Sequence, residues 1–102
     1  MSLGDGLVCT DEDHRITVWN PGASAIFGYT PAEMIGRPIA TIFTPEDQAT
    51  GYVESILQRA RDEGRAMDDR WKLRKDGSTF FCSAIVTPMY EGTKLVGYAK
   101  IA

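Results

Sequence analysis

The sequence is poor in the residues that metal and nucleophile chemistry require. It has one histidine and two cysteines in 102 residues. Cys9 and Cys82 lie far apart and form no Cys-x-x-Cys pair, whereas a zinc site needs four ligands at short spacings. One histidine, His14, cannot serve both thiols, and no Ser-His-Asp or Cys-His arrangement is present, so no activated nucleophile is expected. The acidic turn Asp11-Glu12-Asp13-His14 lacks the correctly spaced glycine and closing glutamate of an EF-hand loop. It reads as a hairpin turn with His14 in solvent. The ten glycines are scattered turn and cap residues and form no phosphate-binding loop. Two isolated thiols fit a reducing compartment, with a single disulfide as the alternative.

Long apolar runs are missing too. Nothing approaches the ~18–20 residues of a membrane span, and no signal peptide is visible. A cytoplasmic location and no membrane contact by this segment are therefore expected. Excess positive charge is also absent: the formal charge is −3 and the pI about 5.0. Nucleic-acid binding rests on a net basic face, and the small cluster Arg70, Lys72, Arg74, Lys75 does not supply one. What is present is ordinary for a globular domain, with 43% apolar and 25% charged residues. A single domain of this length buries roughly 60–70% of its unfolded surface. Residues 1–4 read as a linker remnant and 5–102 as the domain. The apolar run that ends at Ala102 suggests a domain taken from a longer chain.

Two short β-branched runs, residues 6–10 and 16–19, open the chain. A repeated pair follows: Asn20-Pro21, Thr30-Pro31 and Thr44-Pro45. Each is a good N-cap with proline at the first helical position, and Thr30-Pro-Ala-Glu33 is also a capping box. Gly28 and Gly36 close the first two helices, which must be short. The third is expected to be one long helix from Pro45 to Gly64. Its apolar residues Ala49, Tyr52, Val53, Ile56, Leu57 and Ala60 form one stripe, and acids at its start and arginines at its end suit the dipole. Strands follow at 68–74 and 78–87 around Asp76-Gly77, with Pro88 as the stop. Glu91-Gly92 turns into a last strand, KLVGYAKIA. Without βαβ alternation, this is α+β with one five-stranded antiparallel sheet, short helices and one long helix across one face.

The stretch ITVWNPGASAIFGYTPAEMIGRPIATIFTPED resembles the first half of a PAS domain, and WKLRKDGSTFF with LVGYAKIA resembles the second. The resemblance spans residues 5–102. It implies a non-catalytic sensor or interaction module of a larger signalling protein, bacterial histidine kinases and cyclic-dinucleotide enzymes being the usual parents. It also permits cofactor classes to be tested. Photoadduct flavin members carry a cysteine where Ile39 stands and a glutamine matching Ala99, so that chemistry is not expected. Oxygen-sensing haem members carry a histidine where Gly51 stands, so that haem is not expected either. A non-covalent flavin or a small anion stays open.

Two turns suit Lys75-Asp76-Gly77, and they give opposite faces. A two-residue loop puts Trp71, Leu73, Phe80, Cys82, Ala84 and Val86 on one side, and the hydrophobic alternation favours it. A three-residue loop with left-handed Gly77 pairs Lys72 with Phe80 and Trp71 with Phe81. The resemblance favours this second geometry, because the family's cofactor-contacting positions share its parity. A ligand pocket under the long helix would then be lined by Ile39, Ile42, Tyr52, Ile56, Phe80, Cys82, Ala84, Gly97 and Ala99. Arg70 and Lys72 at its edge would suit a carboxylate or phosphate. The outer face would expose Trp71, Leu73, Phe81, Ile85, Val96 and Tyr98, too large a patch to leave in water. That face predicts a homodimer or a flanking coiled-coil or linker helix, with an effector domain in the same chain. The leading expectation is a sensory module of a sensor histidine kinase that relays its signal by dimer or linker rearrangement. The alternatives are a purely structural dimerisation module with a filled core, or the PAS module of a diguanylate cyclase or phosphodiesterase.

Overall fold

The computed structural model describes residues 5–102; the expected linker remnant at 1–4 lies outside the described residues. The order is β1 (Leu7–Asp11), β2 (Ile16–Trp19), α1 (Pro21–Phe27), α2 (Pro31–Met34), a single 3₁₀ turn (Ile39–Ile42), α3 (Pro45–Ala49), α4 (Tyr52–Glu63), β3 (Ala66–Leu73), β4 (Thr79–Glu91) and β5 (Lys94–Ile101). The strands form one antiparallel sheet in the order β2-β1-β5-β4-β3. The chain enters one strand in from an edge, crosses to that edge, passes through the helices, returns at the other edge and ends on the central strand β5.

The Asn/Thr-Pro grammar works as read. Asn20 Oδ1 accepts from Ala23 N at 2.8 Å, Thr44 Oγ1 accepts from Asp47 N at 3.3 Å, and Thr30 with Glu33 forms the reciprocal capping box. Asn20 does more than cap. Its Oδ1 also accepts from Leu7 N at 2.9 Å and its Nδ2 donates to Asp5 O at 3.1 Å, which ties α1 to β1. The long helix is corrected: it breaks at Thr50-Gly51. Gly51 takes φ 78°, so α3 ends after one turn and α4 restarts in a new direction. The apolar stripe Val53, Ile56, Leu57, Ala60 belongs to α4, which packs on β3 and β4.

The hairpin at 75–77 is the three-residue form. Gly77 N donates to Arg74 O at 3.0 Å, Arg74 N donates to Ser78 O at 2.9 Å, and Gly77 has φ 87°. Lys72 therefore pairs with Phe80 and Trp71 with Phe81. Strand β4 runs through Pro88, contrary to expectation. Pairing with β3 stops at Val86, so one side of β4 is free there and the missing N–H costs no ladder bond.

The core fills the space between helices and sheet with Val8, Ile16, Trp19, Phe27, Met34, Ile42, Phe43 and Ile56. Each large side chain so buried stabilises by roughly 1.5–3 kcal/mol. Where β1 meets β5 the backbones approach closely at Gly97: a Cβ there would lie 1.8 Å from Thr10 O. Gly97→Ala is expected to cost about 3 kcal/mol or more, because β5 must pull away from β1 to admit the methyl group. Urea denaturation checks this, and an unchanged midpoint would contradict the close approach.

Candidate functional site

The hairpin parity decides the site. On β3 it turns Ala66, Asp68, Arg70 and Lys72 inward and Met67, Asp69 and Trp71 outward. Asp68 and Lys72 have no exposed surface at all, and Lys100 on β5 is buried beside them. A strand carrying two opposite charges into a core needs partners for both. Asp68 provides most of them. Its Oδ1 accepts from the Tyr52 hydroxyl at 2.7 Å. Its Oδ2 accepts from Lys100 Nζ and lies 3.0 Å from Lys72 Nζ. That second approach is close enough for an ion pair but is misdirected, so Lys72 Nζ makes no hydrogen bond among the described residues. Both ammoniums face the Phe43 ring, at 4.9 Å for Lys72 and 4.2 Å for Lys100, a cation–π contact that offsets part of their desolvation.

These charges reset one another's proton affinity. Burial pushes the Lys100 ammonium down to about 8, and Asp68 only partly restores it. Burial opposes ionisation of Asp68, but Lys100 and Lys72 outweigh it and hold the carboxyl below its usual range. Burial and the bond to Asp68 push the Tyr52 phenol above its ordinary range. Lys100 therefore binds its proton less tightly in the folded chain than at the ordinary lysine value of 10.5. Stability is lowest below the folded value and rises as pH passes from there toward the unfolded one. Between about pH 7 and about pH 9 the gain is expected to be on the order of 1 kcal/mol. Burial also pushes the Cys9 and Cys82 thiols up, and these, with Tyr52, oppose the gain at higher pH. Urea titrations over that window check the slope, and Lys100→Met should flatten it.

The other basic residues of the cluster are each engaged within the chain. Arg70 forms a two-pronged pair with Asp47 on α3 and lies 3.9 Å over the Tyr52 ring. Arg74 donates to Ile26 O at 3.2 Å and covers Phe80 at 4.0 Å. Lys75 reaches Glu33, and its N–H donates to Phe27 O. A surface groove of about 400 Å³ opens outside the Arg70–Asp47 pair, against Thr44, Glu46, Asp69, Trp71 and Phe81.

The expected pocket residues are only partly brought together. Ile39, Ile42, Ile56, Lys72, Cys82 and Ala84 are buried under the helices, and Tyr52, Arg70 and Phe80 are half-buried at the margin. The last strand is corrected. Val96 bulges out of register between Tyr90↔Leu95 and Met89↔Gly97, which reverses the faces that follow. Tyr98 and Lys100 point inward and Ala99 outward, while Gly97 sits against the β1 backbone and lines no pocket. The residual void is about 10 Å³, one water's room at most. Ile39 and Ile56 line it with Val8, Thr10, Phe43, Tyr98 and Lys100. Asp68 and Lys100 were not anticipated. The available signal was that Asp68 stands four residues before Lys72 on the same strand, hence on the same face.

On the outer face Trp71 and Phe81 are each 56% exposed, and their rings meet edge-on at 5.9 Å. Met67, Ile85 and Ile101 extend the apolar surface across three paired strands. Leu73 and Val96 are half-buried, and Tyr98, expected here, is on the inner side at 3% exposure. His14 is half-buried, with its ring edge-on to Tyr98 at 5.8 Å. Both cysteines are free thiols. Among the described residues no helix is long and apolar enough to cross a membrane.

This five-stranded sheet with its helices on one face is the architecture of a sensory-module class, and the chain matches the PAS domain profile over residues 4–101. It belongs to the PAS domain family. It is 34% identical over 91 residues to "Two-component system protein A" of Emericella nidulans, a match covering 89% of this chain and 13% of that protein's length. Among solved structures it is similar to the PAS domain of a Colwellia psychrerythraea protein, with 27% identity and a TM-score of 0.90 over 97% of this chain and 84% of that one. It is also similar to the PAS domain, in complex with ethanol, of a LuxR-family transcriptional regulator from Burkholderia thailandensis. There the identity is 25% and the TM-score 0.79 over 96% of this chain and 87% of that one.

Proposed function

We propose that this domain is the sensory and relay module of a longer signalling protein, a sensor histidine kinase of a two-component system. Its input is a small anionic ligand held between the sheet and α4, and its output is a rearrangement at the outer face of the sheet. The single observation that carries this reading is the contrast between the two faces. The inner face buries an ionic cluster with a cation in excess, while the outer face leaves Trp71, Phe81, Met67, Ile85 and Ile101 bare. A bare stripe of that composition fits a protein contact. The partner proposed is a second copy of this domain, which would set Trp71 and Phe81 of each copy against the other about a two-fold axis. The similarity to a two-component system protein supports the setting.

The test is sedimentation of the domain across the micromolar range, together with autophosphorylation of the full-length protein. Self-association, and kinase output that changes when the outer face is altered, are expected. A monomer at every concentration with unaltered output would turn the assignment toward a flanking helix or another parent. The filled core favours a second reading, a dimerisation module without a ligand. The relative crystallised with ethanol favours a neutral small molecule over an anion; ligand measurements on the inner face separate these.

A further inference from the structure

We infer that the groove outside the Arg70–Asp47 pair is a docking site for an arginine side chain carried on a partner protein. This goes beyond the sensory reading and does not depend on it. The groove holds about 400 Å³ between two walls. Thr44, Glu46 and Asp47 come from the start of α3, and Asp69, Arg70 and Trp71 come from β3, with Phe81 of β4 alongside. Its charge is out of balance, with three carboxylates against one guanidinium. Arg70 and Asp47 satisfy each other in their two-pronged pair. The side chains of Glu46 and Asp69 are exposed and make no hydrogen bond or ion pair among the described residues. One negative charge on each wall is left for a cation.

The aromatic side selects the kind of cation. Trp71 and Phe81 are both largely exposed, with their rings at 80° to one another. An exposed indole face attracts a cation, and a planar guanidinium lies flat on it and is more weakly hydrated than an ammonium. Its fork of donors also suits carboxylates on both walls at once. The groove opens on the surface, whereas small-molecule pockets bury most of their occupant. It is continuous with the bare apolar stripe of Met67 and Ile85. The cation is therefore supplied by a protein that covers the stripe as well. A second copy of this domain, docked about a two-fold axis, would offer the same carboxylates in return. The arginine accordingly belongs to a different protein, which competes with the second copy for Trp71 and Phe81.

The experiment is an NMR titration of the nitrogen-labelled domain with a capped peptide that carries one arginine between two leucines. The chain's two tryptophans give an internal control. The Trp19 indole N–H is bonded within the chain to Ser24 and Tyr29, whereas Trp71 lines the groove. Saturable movement of the Trp71 indole signal, with Trp19 unmoved, is expected. Citrulline in place of the peptide's arginine keeps the shape without the charge and should weaken binding about tenfold. Glu46→Gln combined with Asp69→Asn should weaken it about fivefold or more. The inference is overturned by no saturable response, by equal binding of the citrulline peptide, or by unchanged affinity in the double variant. Equal binding of free arginine amide would make this a metabolite site and overturns it too. Should the double variant not fold, the citrulline comparison on the unaltered domain decides. The titration is run below the concentration at which the domain associates, so it reads the groove alone. Sedimentation without peptide reads the relay surface, and failure of the two readings is told apart.

Discussion

Asp68→Asn is expected to destabilise the domain by about 3–5 kcal/mol, enough to unfold much of a small domain's marginal reserve. The amide keeps the shape and an acceptor for the Tyr52 hydroxyl, but it leaves Lys72 and Lys100 facing each other in the core with no counter-charge. Lys72→Met should behave in the opposite way. It removes the surplus cation and keeps the Asp68–Lys100 pair with Tyr52, and methionine fills most of the lysine stem's volume. A change below about 1 kcal/mol, or a gain, is expected. Urea denaturation of the two variants side by side tests the charge count. If Asp68→Asn is tolerated and Lys72→Met is the damaging change, the account of the cluster is wrong.

Phe81→Glu is expected to abolish association through the sheet while leaving the fold intact. Phe81 is exposed and, among the described residues, its ring meets only that of Trp71, so stability should move by only about 0.5 kcal/mol. At an interface the same change buries a charge against the partner's Trp71 and Phe81. Aromatic anchors at the centre of an interface are worth about 2 kcal/mol or more each, and a two-fold contact repeats the loss, so the dimer constant should weaken by at least two orders of magnitude. Sedimentation compares the variant with Glu91→Ala, a change at the exposed end of β4 that should leave association unaltered. Equal association of Phe81→Glu and the unaltered domain would remove the outer face from the relay.

Much of the fold was legible because local chemistry and long-range packing agree. Asn20, Thr30 and Thr44 each cap a helix in the structure. The hairpin went against the hydrophobic alternation: a two-residue loop needs a left-handed Asp76, but Gly77 alone is left-handed there, so the loop takes three residues and Lys72 goes inside. The alternation misled because the buried positions of β3 are filled by an ionic cluster instead of apolar side chains. Two features were not legible from pattern. The break at Thr50-Gly51 hides beneath an apolar stripe that α4 carries largely by itself, with only Ala49 on the far side. The bulge at Val96 moves one residue out of register, which sends Lys100 inward and Ala99 outward. A lysine one residue from the end of a strand ordinarily reads as solvent-facing, and only the register shows otherwise.

In the ionic cluster of this PAS domain two buried ammoniums, Lys72 and Lys100, share the single carboxylate of Asp68, and burial lowers the proton affinity of Lys100. Site-resolved NMR titration of Lys100, following its Cε and Nζ signals, is the deciding measurement. Lys100 is predicted to lose its proton near about 8, well below the ordinary lysine value of 10.5. Titration of Lys100 at the ordinary lysine value would contradict it.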